Sequence, residues 1–477
     1  MTLHRKDFLK VSAGAVGAAL LAPARLDAGL HTKPQGAAAS LPVSGESLFG
    51  RSPGWPQENV AAGALTFPTA EYAARRARFL EQIPDGIAVF LGSSSGSQNN
   101  DIRYFSGVEV PGTTLILDGT RGESTLFYTT RDSYLRGENL SPELAIDPLG
   151  ATGVEHHFPA DEFATRFVQL VEDRRVVYTP FDSEIAEPEV STRSEWDGRP
   201  TRRRQFAQLL QDRFGGVEVR DCSEVIWEQR RFKTPAEIDA MRIAGRIGAS
   251  AMVEVMKAGR AGQHEFELSS LFEYVCKRQG ARALAFDTII SSAENHSYLH
   301  YAQYNRLLVD GDFLVVDAGP KWQDYSIDIT ISFPINGSFS PRQREIYQAC
   351  LEISKGCLAL YRPGLTGLQV GEQVRAGLEE RGYDLSTDAF TRMRFFREGG
   401  ITHYVGLETH DAGGRDLPPD RPLEAGMVFA CDVFGTWPDE DMGVRVENTV
   451  LVTESGCEVL NPGIPREIEE IEALMRG

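Results

Sequence analysis

Five side chains, Asp317, Asp328, His403, Asp432 and Glu447, carry a carboxylate or an imidazole, and four of them interrupt runs of alternating or continuous apolar residues. Charged side chains are seldom fully buried unless they are paired or coordinate a cation. Carboxylates set into strand-like segments therefore predict a shared pair of cations. Two divalent ions roughly 3.5–4 Å apart can acidify the water between them and polarise a carbonyl group together. Four oxygen donors with one imidazole suit manganese, cobalt, iron or zinc better than a thiolate-seeking ion.

The elements that position these groups are strands. In VVDAGPKWQDYSIDITISF a β-branched run ends on Asp317, is expected to turn through Gly319 and Pro320, and resumes as an alternating strand carrying Asp328. Side chains alternate along a strand, so Ser326, Asp328, Thr330 and Ser332 share one face and Ile327, Ile329 and Ile331 the other. In VRVENTVLV the same alternation puts Arg445, Glu447 and Thr449 on one face, against Val444, Val446 and Val450. If the segment around Asp432 is also a strand, Cys431 points away from the aspartate and is no ligand.

The step from Asp317 to Asp328, the THYVGLETHDAGG segment and the GMVFACD and GVRVENTVLVTE segments together resemble the pita-bread metallopeptidases, and among them the aminopeptidase P family. That resemblance implies Asp317, Asp328, His403, Asp432 and Glu447 as ligands of two divalent ions, manganese first, with cobalt, zinc or iron as alternatives. It also implies His300, His410 and Arg445 around the substrate, where imidazoles can donate hydrogen bonds to the substrate amide and the developing oxyanion. Asp432, by the same likeness, is a ligand of the ion at His403 and a general base. Two positions depart from the family pattern. Asp432 stands where a glutamate followed by proline is usual, which shortens the reach by about 1.5 Å, and Gly399 stands where a histidine is common.

The other histidines read more simply. His4, His31, His156, His157 and His264 are taken as surface or core groups, and His296 stays open between the two readings. A chain of 477 residues, 42% hydrophobic and 25% charged, is long enough for two domains with separate cores. Its net charge of −19, with no basic stripe, argues against a nucleic-acid partner. Arg5 and Lys6 precede a short apolar run of small residues, so residues 1–28 read as an export signal of twin-arginine-like form and 29–62 as a linker or arm. That run is too short for a spanning helix, so no stable membrane insertion is expected. Cys222, Cys276, Cys350, Cys357, Cys431 and Cys457 show neither C-x-x-C nor zinc spacing and are expected to be reduced packing residues.

The expected architecture is α+β, a pita-bread catalytic domain over 226–477 preceded by a smaller α/β domain over 63–225. In the first, EYAARRARFLEQI reads as a helix and IAVFLG, TTLILDG and ESTLFYTT as strands; DIRYFSGVEVPGTTLIL and TLFYTTRD resemble the N-terminal domain of aminopeptidase P. Thr234, Pro235 and Glu237 open one helix of the second domain and Ser340 to Gln343 another, each as a capping box.

The family likeness implies an exopeptidase, a homodimer or homotetramer, that hydrolyses the Xaa-Pro amide bond at peptide N-termini through a hydroxide bridging two metals, and the N-terminal signal implies a periplasmic or extracellular location. Its partner is a peptide with proline at the second position. An Xaa-Pro dipeptidase is the near alternative; it would need a cation for the dipeptide carboxylate, for which Arg415 is a candidate. A metal-free creatinase-like hydrolase and a non-catalytic pita-bread binding protein are the more distant ones.

Overall fold

The computed structural model describes residues 67–476 except 93–99, 109, 130, 132–134, 136–140, 142, 174, 183–199 and 415–416. The expected export signal, the arm, His4, His31 and Arg415 lie outside the described residues.

Six strands form the first sheet: β1 (Ile87–Leu91), β2 (Thr114–Asp118), β3 (Glu123–Tyr128), β4 (His156–Pro159), β5 (Val176–Thr179) and β6 (Glu218–Asp221), in the order β4-β3-β2-β1-β5-β6. The β1-β2-β3 core is antiparallel, and β4, β5 and β6 join in parallel. The central strand β1 shows why its sequence is apolar without interruption. Ala88 and Phe90 enter the main core with Phe79 and Phe105, while Ile87 and Val89 meet Phe167, Val171 and Leu210 on the opposite face, so both faces are covered. The expected helix is present as Thr69–Leu80, with Tyr72 and Phe79 buried.

The second sheet contains eight strands: β8 (Ile289–Ser292), β9 (Phe313–Ala318), β12 (Ile329–Pro334), β13 (Met393–Arg394), β14 (Ile401–Tyr404), β15 (Val428–Trp437), β16 (Met442–Val452) and β17 (Cys457–Val459). A three-stranded sheet of β7 (Ala283–Leu284), β10 (Pro320–Trp322) and β11 (Tyr325–Ser326) lies beside it. β9 and β12 pair antiparallel, as the reading of a hairpin requires. The reversal, however, is not at Gly319 and Pro320. It falls at Gln323 and Asp324, both with positive φ, between β10 and β11. Gly319 is needed for another reason: a Cβ there would lie 1.6 Å from the Ile327 carbonyl oxygen, so the two chains can come together only without a side chain.

Both capping boxes form. Thr234 and Glu237 close the start of the helix Pro235–Ala258, and Ser340 and Gln343 that of Pro341–Leu360. The first helix buries Met241, Ala244, Ile247, Met252 and Val255, while Ile238 is only half-buried. Helices flanking a largely antiparallel sheet make the α+β architecture expected. All six cysteines are free thiols, and five are buried. Cys431 packs behind β15, where the Tyr361 hydroxyl donates to its sulfur at 3.2 Å. Among the described residues no helix is long and apolar enough to cross a membrane.

Candidate active site and metal centre

One row of side chains crosses four adjacent strands. Asp432 on β15 lies opposite Glu447 on β16, Glu447 opposite Thr330 on β12, and Thr330 opposite Asp317 on β9. Directly paired residues share a sheet face, so three carboxylates and a threonine line up on the same side. Asp328, two residues before Thr330, joins them just ahead of β12. Its N–H donates to the Thr449 hydroxyl at 2.9 Å, and that hydroxyl donates to the Asp328 carbonyl at 2.8 Å. All four carboxylates are buried, Glu447 completely.

His403 reaches this face through an irregularity. Ile401 pairs with Cys431 and Tyr404 with Phe429, so β14 advances three residues while β15 advances two. Thr402 and His403 therefore both oppose Ala430, on the Asp432 side of the sheet, in the manner of a β-bulge. The loop that follows carries His410, whose ring stacks on His403 with centroids 3.8 Å apart and planes 17° apart. The next residue, Asp411, is buried and accepts from Arg230 and, at 3.2 Å, from the Lys233 ammonium. This pins the loop to the segment that links the two sheets.

His300, Tyr301, His410, Asp317 and Asp328 line a cleft of about 250 Å³ above the row. Arg445 closes its side. Beyond Arg445 a smaller pocket of about 70 Å³ is lined by Tyr298, Leu299 and Phe434. His296 is a satisfied core group: its Nε2 lies 2.8 Å from the Phe313 carbonyl and its Nδ1 3.1 Å from the Ser291 hydroxyl. Gly399 could not be a histidine in this backbone. Its φ is +71°, and a Cβ would meet the Gly367 carbonyl oxygen at 2.6 Å.

The electrostatics show what the row lacks. Burial, then repulsion from Glu447 and Asp317, pushes the Asp328 carboxyl far above its ordinary value. Glu447 is likewise driven up by burial, and by Asp432 and Asp317, although Arg445 opposes this. Burial and the neighbouring His410 push His403 well down, so the ring is neutral and can offer a lone pair. Burial works against the charge on Arg445, but Asp317, Asp432, Glu447 and Asp328 outweigh it and keep the guanidinium charged.

Asp317 Oδ1, Asp328 Oδ1 and Glu447 Oε1 are buried without a hydrogen-bond partner. One donor atom each from Asp328, His403 and Glu447 lies within 4.8 Å of the others. Buried anionic oxygens without partners are strongly unfavourable. A divalent cation relieves both the repulsion and the missing bonds, and these donors suit one. Asp432 is in the row, but Arg445 takes both of its oxygens.

The structure thus brings Asp317, Asp328, His403, Asp432, Glu447 and Arg445 together, with His300 and His410 at the cleft above. Sequence reasoning missed the Asp411, Arg230 and Lys233 cluster. The only local signal was an acidic residue directly after His410.

The sequence model of metallopeptidase family M24 matches residues 239–454, and that of the aminopeptidase P N-terminal domain matches 72–178. Xaa-Pro aminopeptidase of Escherichia coli is 34% identical over 440 residues, covering 85% of this chain and 97% of that protein. Human Xaa-Pro dipeptidase is 28% identical over 485 residues, covering 87% and 94%. The structure of E. coli aminopeptidase P with the inhibitor Pro-Leu superposes with a TM-score of 0.70 at 28% identity, covering 86% of this chain and 98% of that one. Both domain matches and 34% identity over nearly the full length of the E. coli relative converge, and the chain belongs to the aminopeptidase P family of M24 metallopeptidases, hydrolases of pita-bread fold that depend on divalent metal ions.

Proposed function

We propose that the protein is a metal-dependent exopeptidase that hydrolyses the Xaa-Pro amide bond at the N-terminus of peptides, in the cleft above the carboxylate row. The observation that carries this is the set of three unpartnered buried carboxylate oxygens beside a neutral His403, in a chain of this family. Asp317, Asp328, His403 and Glu447 hold two divalent ions, of which manganese fits the oxygen-rich donors best. When bound, such ions supply an acidified water and polarise the scissile carbonyl.

The chain's own groups do the rest. His300 and His410 face the cleft, where each can donate to the substrate amide or to the oxyanion that forms on attack. Thr330 donates to Glu447 Oε2 at 2.6 Å and fixes which oxygen points outward, an orienting contact of the kind that tunes metal sites. Arg445 bonds Asp317 at 2.7 Å and lies 3.1 Å from Glu447, holding two of the carboxylates in register.

The aminopeptidase reading is supported by the 34% identity to the E. coli Xaa-Pro aminopeptidase, against 28% to the human Xaa-Pro dipeptidase.

Residues 63–225 and 226–477 are the two domains of this reading. Export of the chain is supported by Arg5, Lys6 and the small-residue apolar run behind them. Assembly as a homodimer or homotetramer is supported by exposed Phe266, Leu307 and Val309, grouped by the pairing of His264 with Leu307. The test of function is release of the N-terminal residue from Xaa-Pro-Yaa by manganese-loaded protein, with Xaa-Pro and Xaa-Ala-Yaa alongside. Chelator-sensitive cleavage of the first alone is the expected result. Cleavage of Xaa-Pro alone would make the protein a dipeptidase, and cleavage of none would remove the exopeptidase reading.

A further inference from the structure

Asp432 differs from the other acidic groups of the row in what its oxygens do. Asp317 and Glu447 each give one oxygen to Arg445 and keep the other without a hydrogen-bond partner. Asp328 keeps Oδ1 unpartnered, and its Oδ2 lies 3.5 Å from His403 Nε2. Asp432 keeps neither. Its Oδ1 accepts from Arg445 Nε and its Oδ2 from Nη2, both at 2.9 Å. This is the two-point fork in which guanidinium and carboxylate planes match.

The register explains the fork. Arg445 is paired with Phe434 and Glu447 with Asp432, so Arg445 and Asp432 are diagonal neighbours on one face, within reach for a long side chain. An aspartate ends about 1.5 Å short of a glutamate, and coordination tolerates only about 0.2 Å. The short side chain therefore stops where the guanidinium meets it. The donors within 4.8 Å of one another around His403 come from Asp328, His403 and Glu447, without Asp432.

We infer that Asp432 is a positioning residue rather than a metal ligand: it clamps Arg445, which in turn orients Asp317 and Glu447, and it leaves the ion beside His403 with three protein donors, Asp328, His403 and Glu447. Asp317, whose Oδ1 has no hydrogen-bond partner, would serve the second ion. This rests on the reading of the row as a metal centre.

The test is binding of manganese to metal-free protein by calorimetry, with bound metal counted by elemental analysis and with low-temperature electron paramagnetic resonance of the loaded sample. Wild type, Asp432→Asn and Asp432→Glu are compared. Asp432→Asn keeps the shape of the side chain but turns one acceptor of the Arg445 fork into a donor, so it is expected to bind as many ions per chain as wild type at saturation, with weaker affinity because Asp317 and Glu447 lose part of the guanidinium's hold. Asp432→Glu adds a donor with the missing reach. It is expected to bind the weaker ion at least about tenfold tighter, the scale on which added shell interactions act. Loss of one ion in Asp432→Asn would make Asp432 a ligand and overturn the inference, as would unchanged affinity of both ions in Asp432→Glu. No manganese binding by wild type would instead remove the metal-centre reading itself, a different failure. Thermal melts of the three metal-free proteins establish that each is folded, and if Asp432→Asn is not, Asp432→Glu decides alone.

Discussion

Two buried clusters of charge lie at opposite ends of the loop that carries His410, and they are built on opposite rules. Around Asp411 every carboxylate is matched by at least one cation. Asp411 and Asp101 face Arg230, Lys233 and Arg203. Burial opposes ionisation of Asp411, but Arg230 and Lys233 outweigh it and hold the carboxyl below its ordinary value. In the strand row Asp317, Asp432 and Glu447 share the ion pairs of Arg445, with Arg466 acting on Glu447 from its backbone side, and burial drives Asp328 and Glu447 upward instead. Equal burial thus yields opposite shifts. A cluster with every carboxylate matched is a structural fastener; one with surplus anions is a socket for an external cation.

The comparison breaks most sharply at Asp411. Asp411→Asn takes from buried Lys233 the carboxylate it bonds and leaves Arg230 to Asp101, and removal of one partner of a buried pair costs about 3–5 kcal/mol. Urea unfolding of the variant should show a loss of that size. Turnover should fall as well, since His410 is the adjacent residue and loses its anchor. A loss below about 1 kcal/mol would mean that the cluster is not a fastener.

His296 offers a control of similar size from the far side of Arg445. Burial lowers it to about 4 from an ordinary 6.5, although the Phe313 carbonyl opposes the shift. As pH falls through 6.5 the unfolded chain takes up the proton first, so stability is intact above 6.5, declines toward 4 and is flat below. The full decline is about 3 kcal/mol. Unfolding curves of His296→Gln should lack this part of the acid sensitivity, measured as the difference from wild type between pH 7 and 4.5. Equal slopes in the two proteins would refute it.

Glu447→Gln should act in the reverse sense from Asp411→Asn. In metal-free protein it removes a surplus buried charge, so the variant should be more stable than wild type by about 1–2 kcal/mol. In manganese the order should invert, because wild type gains about 2.7 kcal/mol at a hundredfold excess over the dissociation constant and the variant gains less. Paired thermal melts with chelator and with manganese check both signs. A variant less stable than wild type in both would contradict the socket.

The legible parts of this site are those with a short period. Asp317, Asp328 and Glu447 sit in alternating runs, and a period of two fixes their common face from local spacing alone. The capping boxes at Thr234 and Ser340 are equally local. The reversal after Asp317 lies beyond the Gly-Pro pair, although such a pair is a strong turn signal, because Gly319 serves the approach of Ile327 instead. The bulge that turns His403 inward depends on the partner strand β15. The clamp on Asp432 and the fastener at Asp411 depend on partners far away in the chain, which no local pattern reports.

The account's central claim is that divalent ions fill the surplus of the row and that peptide hydrolysis follows from this. A single titration tests it: metal-free protein receives manganese in steps, and bound ions per chain and release of the N-terminal residue from Xaa-Pro-Yaa are measured on the same samples. The account predicts no turnover without metal, turnover that rises with occupancy, and neither in Glu447→Gln at the concentrations that saturate wild type. Turnover that is undiminished in the metal-free protein would contradict it.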